Sequence, residues 1–132
     1  MGFVYALLAI VVSFFAFFIG LRVFMVMRIK RQEGRPIPEL AGKQGKAAKA
    51  RTPSLFYFYS PQCGACRSMT PVIKKMPGLD RNVFAVDISK DMDTARRFGV
   101  MATPTTVLVR EGVVQQILIG PQPESALRGL LA

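Results

Sequence analysis

Two cysteines stand three residues apart in Cys63-Gly64-Ala65-Cys66, and they are the only thiols in a chain of 132 residues that contains no histidine. A pair at this spacing can exchange electrons with another disulfide. One thiolate attacks a disulfide sulfur, and the second attacks the resulting mixed disulfide and releases the product. The missing histidines exclude His-dependent triads, His-containing zinc sites and a histidine pH switch. Two thiols are too few for a dense disulfide scaffold or for a four-thiolate metal site within one chain. A structural disulfide is a poor use of the pair, because closing a two-residue loop removes little unfolded-state entropy. Two further readings stay open: a soft-metal carrier that holds Cu(I) on the two thiolates, and a redox-inert membrane adaptor.

Thiol exchange needs one sulfur ionised and exposed, which places demands on the surrounding elements. Leu55-Phe56-Tyr57-Phe58-Tyr59 is an unbroken apolar run, as expected of a central strand covered on both faces. A helical pattern follows from about Gly64 to Met76, with Cys66, Met69, Ile73 and Met76 on one face and Pro77-Gly78 as its stop. Cys63 therefore lies at a helix amino terminus, where free N–H groups and the macrodipole favour an anion, and its thiol should be more acidic than a free thiol at about 8.5. Cys66 lies one turn further on, facing inward. Gly64 permits a tight turn and close approach of a substrate backbone.

Val83-Phe84-Ala85-Val86 reads as a second buried strand, completing a right-handed βαβ unit. Asp91 caps a short helix that carries Met92, Ala95 and Phe98 inward and stops at Gly99. Thr105 to Val109 and Val113 to Ile119 form a hairpin through Arg110-Glu111-Gly112. A last helix begins near Pro123 and buries Leu127, Leu130 and Leu131. The expected class is α/β, in the order βαβ, helix, ββα, with about four mixed strands.

The amino-terminal part differs in kind. Phe3 to Leu21 is apolar except for Ser13, so it reaches roughly 28 Å as a helix, close to the hydrocarbon thickness of a bilayer. It lacks the basic leader and small-residue cleavage site of a signal peptide, so we expect a retained anchor over residues 1–27. Residues 28–53, rich in Gly, Pro and Lys/Arg, read as a basic juxtamembrane stalk, a solvated tether that can also rest on anionic lipid. Residues 54–132 are then the folded domain. Between Arg22 and Arg51 nine basic residues stand against Glu33 and Glu39. The positive-inside rule puts the domain on the cytoplasmic side, the alternative being an extracytoplasmic one. No aromatic residues are interleaved with the basic ones, so a nucleic-acid partner is not expected.

Phe58-Tyr59-Ser60-Pro61-Gln62-Cys63-Gly64-Ala65-Cys66, Pro71, Asp87, Phe98-Gly99-Val100, Ala102-Thr103-Pro104-Thr105, Gly112 and Gly120 together resemble the thioredoxin family. The resemblance covers most of residues 54–132. It implies a thioredoxin-like minimal core and a thiol-disulfide oxidoreductase, with Cys63 the nucleophile and Cys66 the resolving thiol. It further implies that Pro104 is a cis proline facing the cysteines and that the Thr103 backbone pairs with an extended substrate. Ala102 and Met101 would line the same groove with Gly64 and Ala65. The partners would be protein disulfides and an upstream dithiol donor, with no bound cofactor. The sequence departs from the family at Gln62, which replaces an aromatic residue, in the Gly64-Ala65 spacer, and at Tyr57, which occupies the position of the family's buried acid. The family's first strand and helix have no evident counterpart. The direction of electron flow stays open.

Overall fold

The apolar amino-terminal run makes α1 (Gly2–Lys30) in the computed structural model, which describes residues 1–132. At 29 residues this helix is long and apolar enough to cross a membrane, and none of its side chains is buried by protein. Arg28 and Lys30 in its last turn suit the negative end of the helix dipole. It forms one unit, Met1–Arg31; residues Gln32–Ala132 form a second.

In the second unit the order is α2 (Gly42–Lys49), β1 (Ser54–Tyr59), α3 (Cys66–Lys74), β2 (Val83–Asp87), α4 (Met92–Arg97), β3 (Thr105–Arg110), β4 (Val113–Ile119) and α5 (Glu124–Leu131). The four strands make one mixed sheet in the order β2-β1-β3-β4. β1 runs parallel to β2 and antiparallel to β3, with Tyr57 opposite Ala85 on one side and Thr106 on the other. The absence of alternation in β1 now has its cause. Phe56 and Phe58 enter one core with Phe84, Val86, Ala95, Phe98, Val107 and Ala48, while Leu55 and Tyr57 enter another with Met69, Ile73, Met76, Val83 and Leu127. Period-two geometry sends successive side chains to opposite faces, and helices cover both.

The segment read as a solvated stalk departs from that reading over its second half. Ile37, Leu40 and Ala47 pack against the first core, and Ala48 is fully buried in it. The few apolar residues of this segment are spaced to cover the sheet once α2 forms, which composition alone does not reveal. Upstream of α2, residues 33–37 lie along the outer flank of β4. Gly34 N–H donates to Val114 O at 2.7 Å, Val114 N–H to Arg35 O at 2.9 Å, and Ile37 N–H to Gly112 O at 2.9 Å. β2 forms the other border of the sheet, with only a bridge at Leu79↔Val83 beside it.

The hairpin between β3 and β4 turns on Glu111 (φ 53°) and Gly112 (φ 74°), the left-handed pair of a two-residue turn that matches strand twist. Three expected inward positions differ. Met92 is 46% exposed, because α4 is only six residues long and turns its first residue outward, and Leu130 and Leu131 are partly buried, with Leu127 the fully buried residue of α5.

The expected cap of α4 is present: Asp91 Oδ1 accepts from Thr94 N–H at 3.1 Å. Hydrogen bonding from Thr94, side chain first and backbone second, holds the Asp91 carboxyl below its ordinary value, with Arg97 assisting. A depressed carboxyl stabilises the fold above its unfolded pKa and loses that contribution as pH falls through its folded pKa. Asp91→Ala should therefore cost about 1 kcal/mol at neutral pH, as N-cap removals do. The difference from wild type should begin to shrink below about pH 4, the unfolded value, and vanish once pH passes below the lower folded pKa, where the wild type too lacks the carboxylate. Thermal unfolding of the two proteins at pH 7 and at pH 3 checks this, and an equal gap at both would count against it.

Candidate active site

β1 ends at Tyr59 and the chain turns through Ser60–Ala65 into α3, so the cysteines stand at the carboxyl end of a central strand. Cys63 and Cys66 are joined as a disulfide with Cα atoms 5.3 Å apart. The helix begins at Cys66, two residues later than its sequence pattern suggests, which leaves Cys63 just ahead of the first turn. No side chain caps α3. Instead Cys66 N–H points at Cys63 Sγ at 3.2 Å, and Cys63 N–H is held by Ser60 O at 3.1 Å. A helix-terminal N–H directed at a sulfur stabilises negative charge on that sulfur. The two sulfurs differ in access: Cys63 is half-buried and Cys66 is 1% exposed.

A cavity of about 440 Å³ opens beside the disulfide. Both cysteines line it, together with Tyr59, Thr70, Pro71 and the charged residues Arg67, Lys74, Asp87 and Lys90. Cys66, Thr70 and Lys74 follow at steps of four on α3 and so share one face. Asp87 ends β2, and its Oδ1 accepts from Ser89 Oγ at 2.6 Å and Ser89 N–H at 2.9 Å. The Ser89 hydroxyl is the main reason its carboxyl lies below the ordinary value, with the Ser89 N–H, Lys90 and Lys74 adding to it.

Tyr57 is fully buried, stacks on Tyr59 with ring centroids 5.4 Å apart, and places its hydroxyl 2.8 Å from Thr70 Oγ1. Burial raises its pKa, partly offset by the Thr70 hydrogen bond, so the phenol stays neutral at physiological pH.

The Thr103-Pro104 peptide bond is cis, Pro104 is buried, and its carbonyl accepts from Gly120 N–H at 2.8 Å. Thr105 pairs with Phe58 across the β1–β3 ladder, so Thr103-Pro104 emerges at the same end of the sheet as the cysteine loop.

Comparison with known proteins decides the family. A thioredoxin family model matches residues 43–132, about two thirds of the chain. The chain belongs to the thioredoxin family. It is 31% identical over 90 residues to the thioredoxin of Alicyclobacillus acidocaldarius, covering 66% of this chain and 86% of that one. It is 30% identical over 77 residues to the thioredoxin of Bacillus subtilis, covering 56% and 74%. Among solved structures, a mutant thioredoxin from Halobacterium salinarum superposes with a TM-score of 0.58 at 27% identity, covering 74% of this chain and 93% of the other. The oxidised mitochondrial thioredoxin 3 of Saccharomyces cerevisiae gives 0.51 at 29% identity, covering 64% and 82%. The thioredoxin match begins inside α2, so the helix once hidden in the basic segment belongs to the family region.

Of the residues expected at a thioredoxin site, the structure brings Cys63 and Cys66 together on one cavity. Gly64 and Ala65 are exposed beside them, while Ala102 (exposed) and Thr103 (half-buried) lie on the separate loop before β3. Gly64 does not have a positive φ, and a Cβ there would meet nothing within 4 Å. The turn itself therefore does not require glycine, and the open space above it is what the residue provides. Sequence reasoning missed Thr70, Arg67, Lys74 and Lys90. The helical spacing from Cys63 and Cys66 could have found the first three; Lys90 reaches the cavity only through tertiary folding.

One polar atom here is unpaid: Thr106 Oγ1, opposite Tyr57, is buried without a hydrogen-bond partner. Thr106→Val keeps the shape and removes the orphan hydroxyl, which should stabilise the fold by about 1 kcal/mol. That corresponds to roughly 4–8 °C in Tm for a unit of this size. A lower Tm for the valine protein would show that the hydroxyl has a partner after all.

Proposed function

We propose that the protein is a membrane-tethered thiol-disulfide oxidoreductase that reduces or exchanges disulfides in protein substrates. The observation that carries this reading is the asymmetry of the pair: an accessible Cys63 sulfur facing the first N–H of α3, with Cys66 buried behind it. In the reduced enzyme the Cys63 thiolate attacks one sulfur of a substrate disulfide. A Cys63–substrate bond forms, the substrate S–S bond breaks, and one substrate thiolate leaves and takes a proton. Cys66 loses its proton and attacks Cys63 Sγ, which forms the Cys63–Cys66 disulfide and releases the second substrate thiol. Two electrons and two protons have then passed to the substrate. An upstream dithiol restores the reduced pair by the same steps.

In this reading the Thr103 backbone pairs with the extended substrate segment ahead of Pro104, and Ala102, Gly64 and Ala65 leave room for it. Residues 1–27 anchor the enzyme in lipid, and the basic residues that follow place the domain on the cytoplasmic side. Neutral Tyr57 supplies no buried base for the Cys66 proton.

The test is reduction of a disulfide-bonded protein by the full chain in detergent, with dithiothreitol as the electron source. Acceleration over dithiothreitol alone supports the reading, and none overturns it. For the tether, the chain should float with liposomes and resist extraction by high salt. Protease digestion of the domain only from the cytoplasmic side of sealed vesicles agrees with the orientation; digestion from the opposite side reverses it.

A further inference from the structure

The cavity beside the disulfide has an uneven rim. Arg67, Lys74 and Lys90 line it against a single carboxylate, Asp87, whose Oδ1 is already engaged by Ser89. None of the three cations is in an ion pair; the salt bridges of the protein are Arg51–Glu111, Arg97–Asp93 and Arg128–Glu124. Lys74 Nζ lies over the Tyr59 ring, 5.7 Å from its centroid; after Ser89, which lowers the Asp87 carboxyl most, Lys90 and Lys74 help to lower it without forming an ion pair with it. Tyr59, Pro61 and Pro71 line the same cavity. Cation and reactive sulfur thus share one opening.

We infer that the substrates are protein segments carrying acidic side chains next to the disulfide, and that Arg67, Lys74 and Lys90 select them. The inference rests on the oxidoreductase reading above and adds the substrate class. Exposed ion pairs contribute little to affinity, because solvent screens them. Unpaired charges of one sign at a cleft act chiefly on encounter, raising association rates by about 10 to 10³ at low ionic strength. The selection is therefore kinetic and salt-sensitive. The chemistry is unchanged: the Cys63/Cys66 dithiol gives two electrons and two protons to the substrate S–S bond and becomes a disulfide.

The experiment uses the reduced full chain in neutral detergent and three synthetic peptides with one internal disulfide, flanked by Glu, Gln or Lys. Carboxylates alter the intrinsic reactivity of a disulfide, so each rate is divided by the rate of the same peptide with dithiothreitol, an uncharged dithiol. Expected is a second-order rate for the Glu peptide about tenfold above the Gln peptide at ~20 mM salt, with the Lys peptide slowest. The preference should collapse to less than about twofold at ~0.5 M salt, where the screening length is only a few ångströms. A Lys74→Gln/Lys90→Gln protein should lose most of the preference, the Glu rate coming to within about twofold of the Gln rate at ~20 mM salt, and a thermal unfolding transition like that of the wild type shows that it folds. A Lys43→Gln/Lys46→Gln protein, altered on exposed α2 positions, should keep the preference, separating the rim from the overall positive charge. Equal rates for Glu and Gln peptides at low salt overturn the inference while leaving the oxidoreductase reading intact. A preference that survives Lys74→Gln/Lys90→Gln overturns it as well. If none of the three peptides is reduced, the oxidoreductase reading fails and takes the inference with it.

Discussion

Cys66→Ser should stop the reaction halfway, leaving substrate bound to Cys63 through a mixed disulfide that survives non-reducing electrophoresis. Cys63→Ser should give no adduct. The reason lies in how the two sulfurs are held. Cys63 is the accessible one and faces the amino end of α3, whereas Cys66 is 1% exposed and meets a substrate only after Cys63 has captured it. Turnover should fall by at least about 10³ in either variant, or ~4 kcal/mol at 1.36 kcal/mol per decade. The adduct, present in one and missing in the other, assigns the order of attack. Adducts of equal yield in both variants would show that the cysteines are interchangeable, which the difference in burial forbids.

The second large effect concerns Tyr57. Tyr57→Phe removes the hydroxyl that meets Thr70 and should cost about 1 kcal/mol, the ordinary net worth of one hydrogen bond. Turnover should stay within about threefold of wild type, because a neutral phenol was never taking the Cys66 proton. Tyr57→Asp, which restores the acid found at this position in the family, should be far worse. It exchanges a fully buried ring among Leu55, Met69, Ile73 and Leu127 for a short carboxyl, and large-to-small changes of this size cost roughly 3–5 kcal/mol. Burial would also raise the new carboxyl above its unfolded value near 3.9. The folded state then binds the extra proton, so the variant should lose stability as pH rises from about 4 toward 7. Urea unfolding at both pH values reads out the sign. An aspartate protein as stable as wild type at pH 7 would mean that this part of the core is wetter than its packing indicates.

Much of the fold was legible because burial on both faces left unmistakable signs. The continuous runs at 55–59 and 83–86 are β1 and β2, the cap at Asp91 starts α4, and the turn at Glu111-Gly112 closes the hairpin. The cysteine pair was legible for a chemical reason, since few sequences place two thiols between a strand and a helix. Reading failed where identity and environment part company. α2 is built largely from glycine, lysine and alanine; it meets the core through Ala47 and Ala48, and Gly45 is buried against Leu40. Small residues carry little hydropathy, so the segment looked like tether. A Cβ at Gly45 would strike the Leu40 carbonyl oxygen, a close approach that marks packing but gives no periodic signal. The cationic rim was likewise invisible as a group, because Lys90 joins Arg67 and Lys74 only through the β1–β2 pairing that brings the chain back beside α3.

The strip of chain at residues 33–37 has an effect on self-association. Its backbone bonds to Gly112 and Val114 cover the first part of β4's outer flank, and Glu33 Oε1 accepts from Ile117 N–H further along. A sheet open on both borders can add copies without end, and that is the geometry of a fibre. With chain already bonded along the start of that flank and a carboxylate seated at Ile117, a second copy cannot pair along the whole of β4, which leaves β2 the easier border for such pairing.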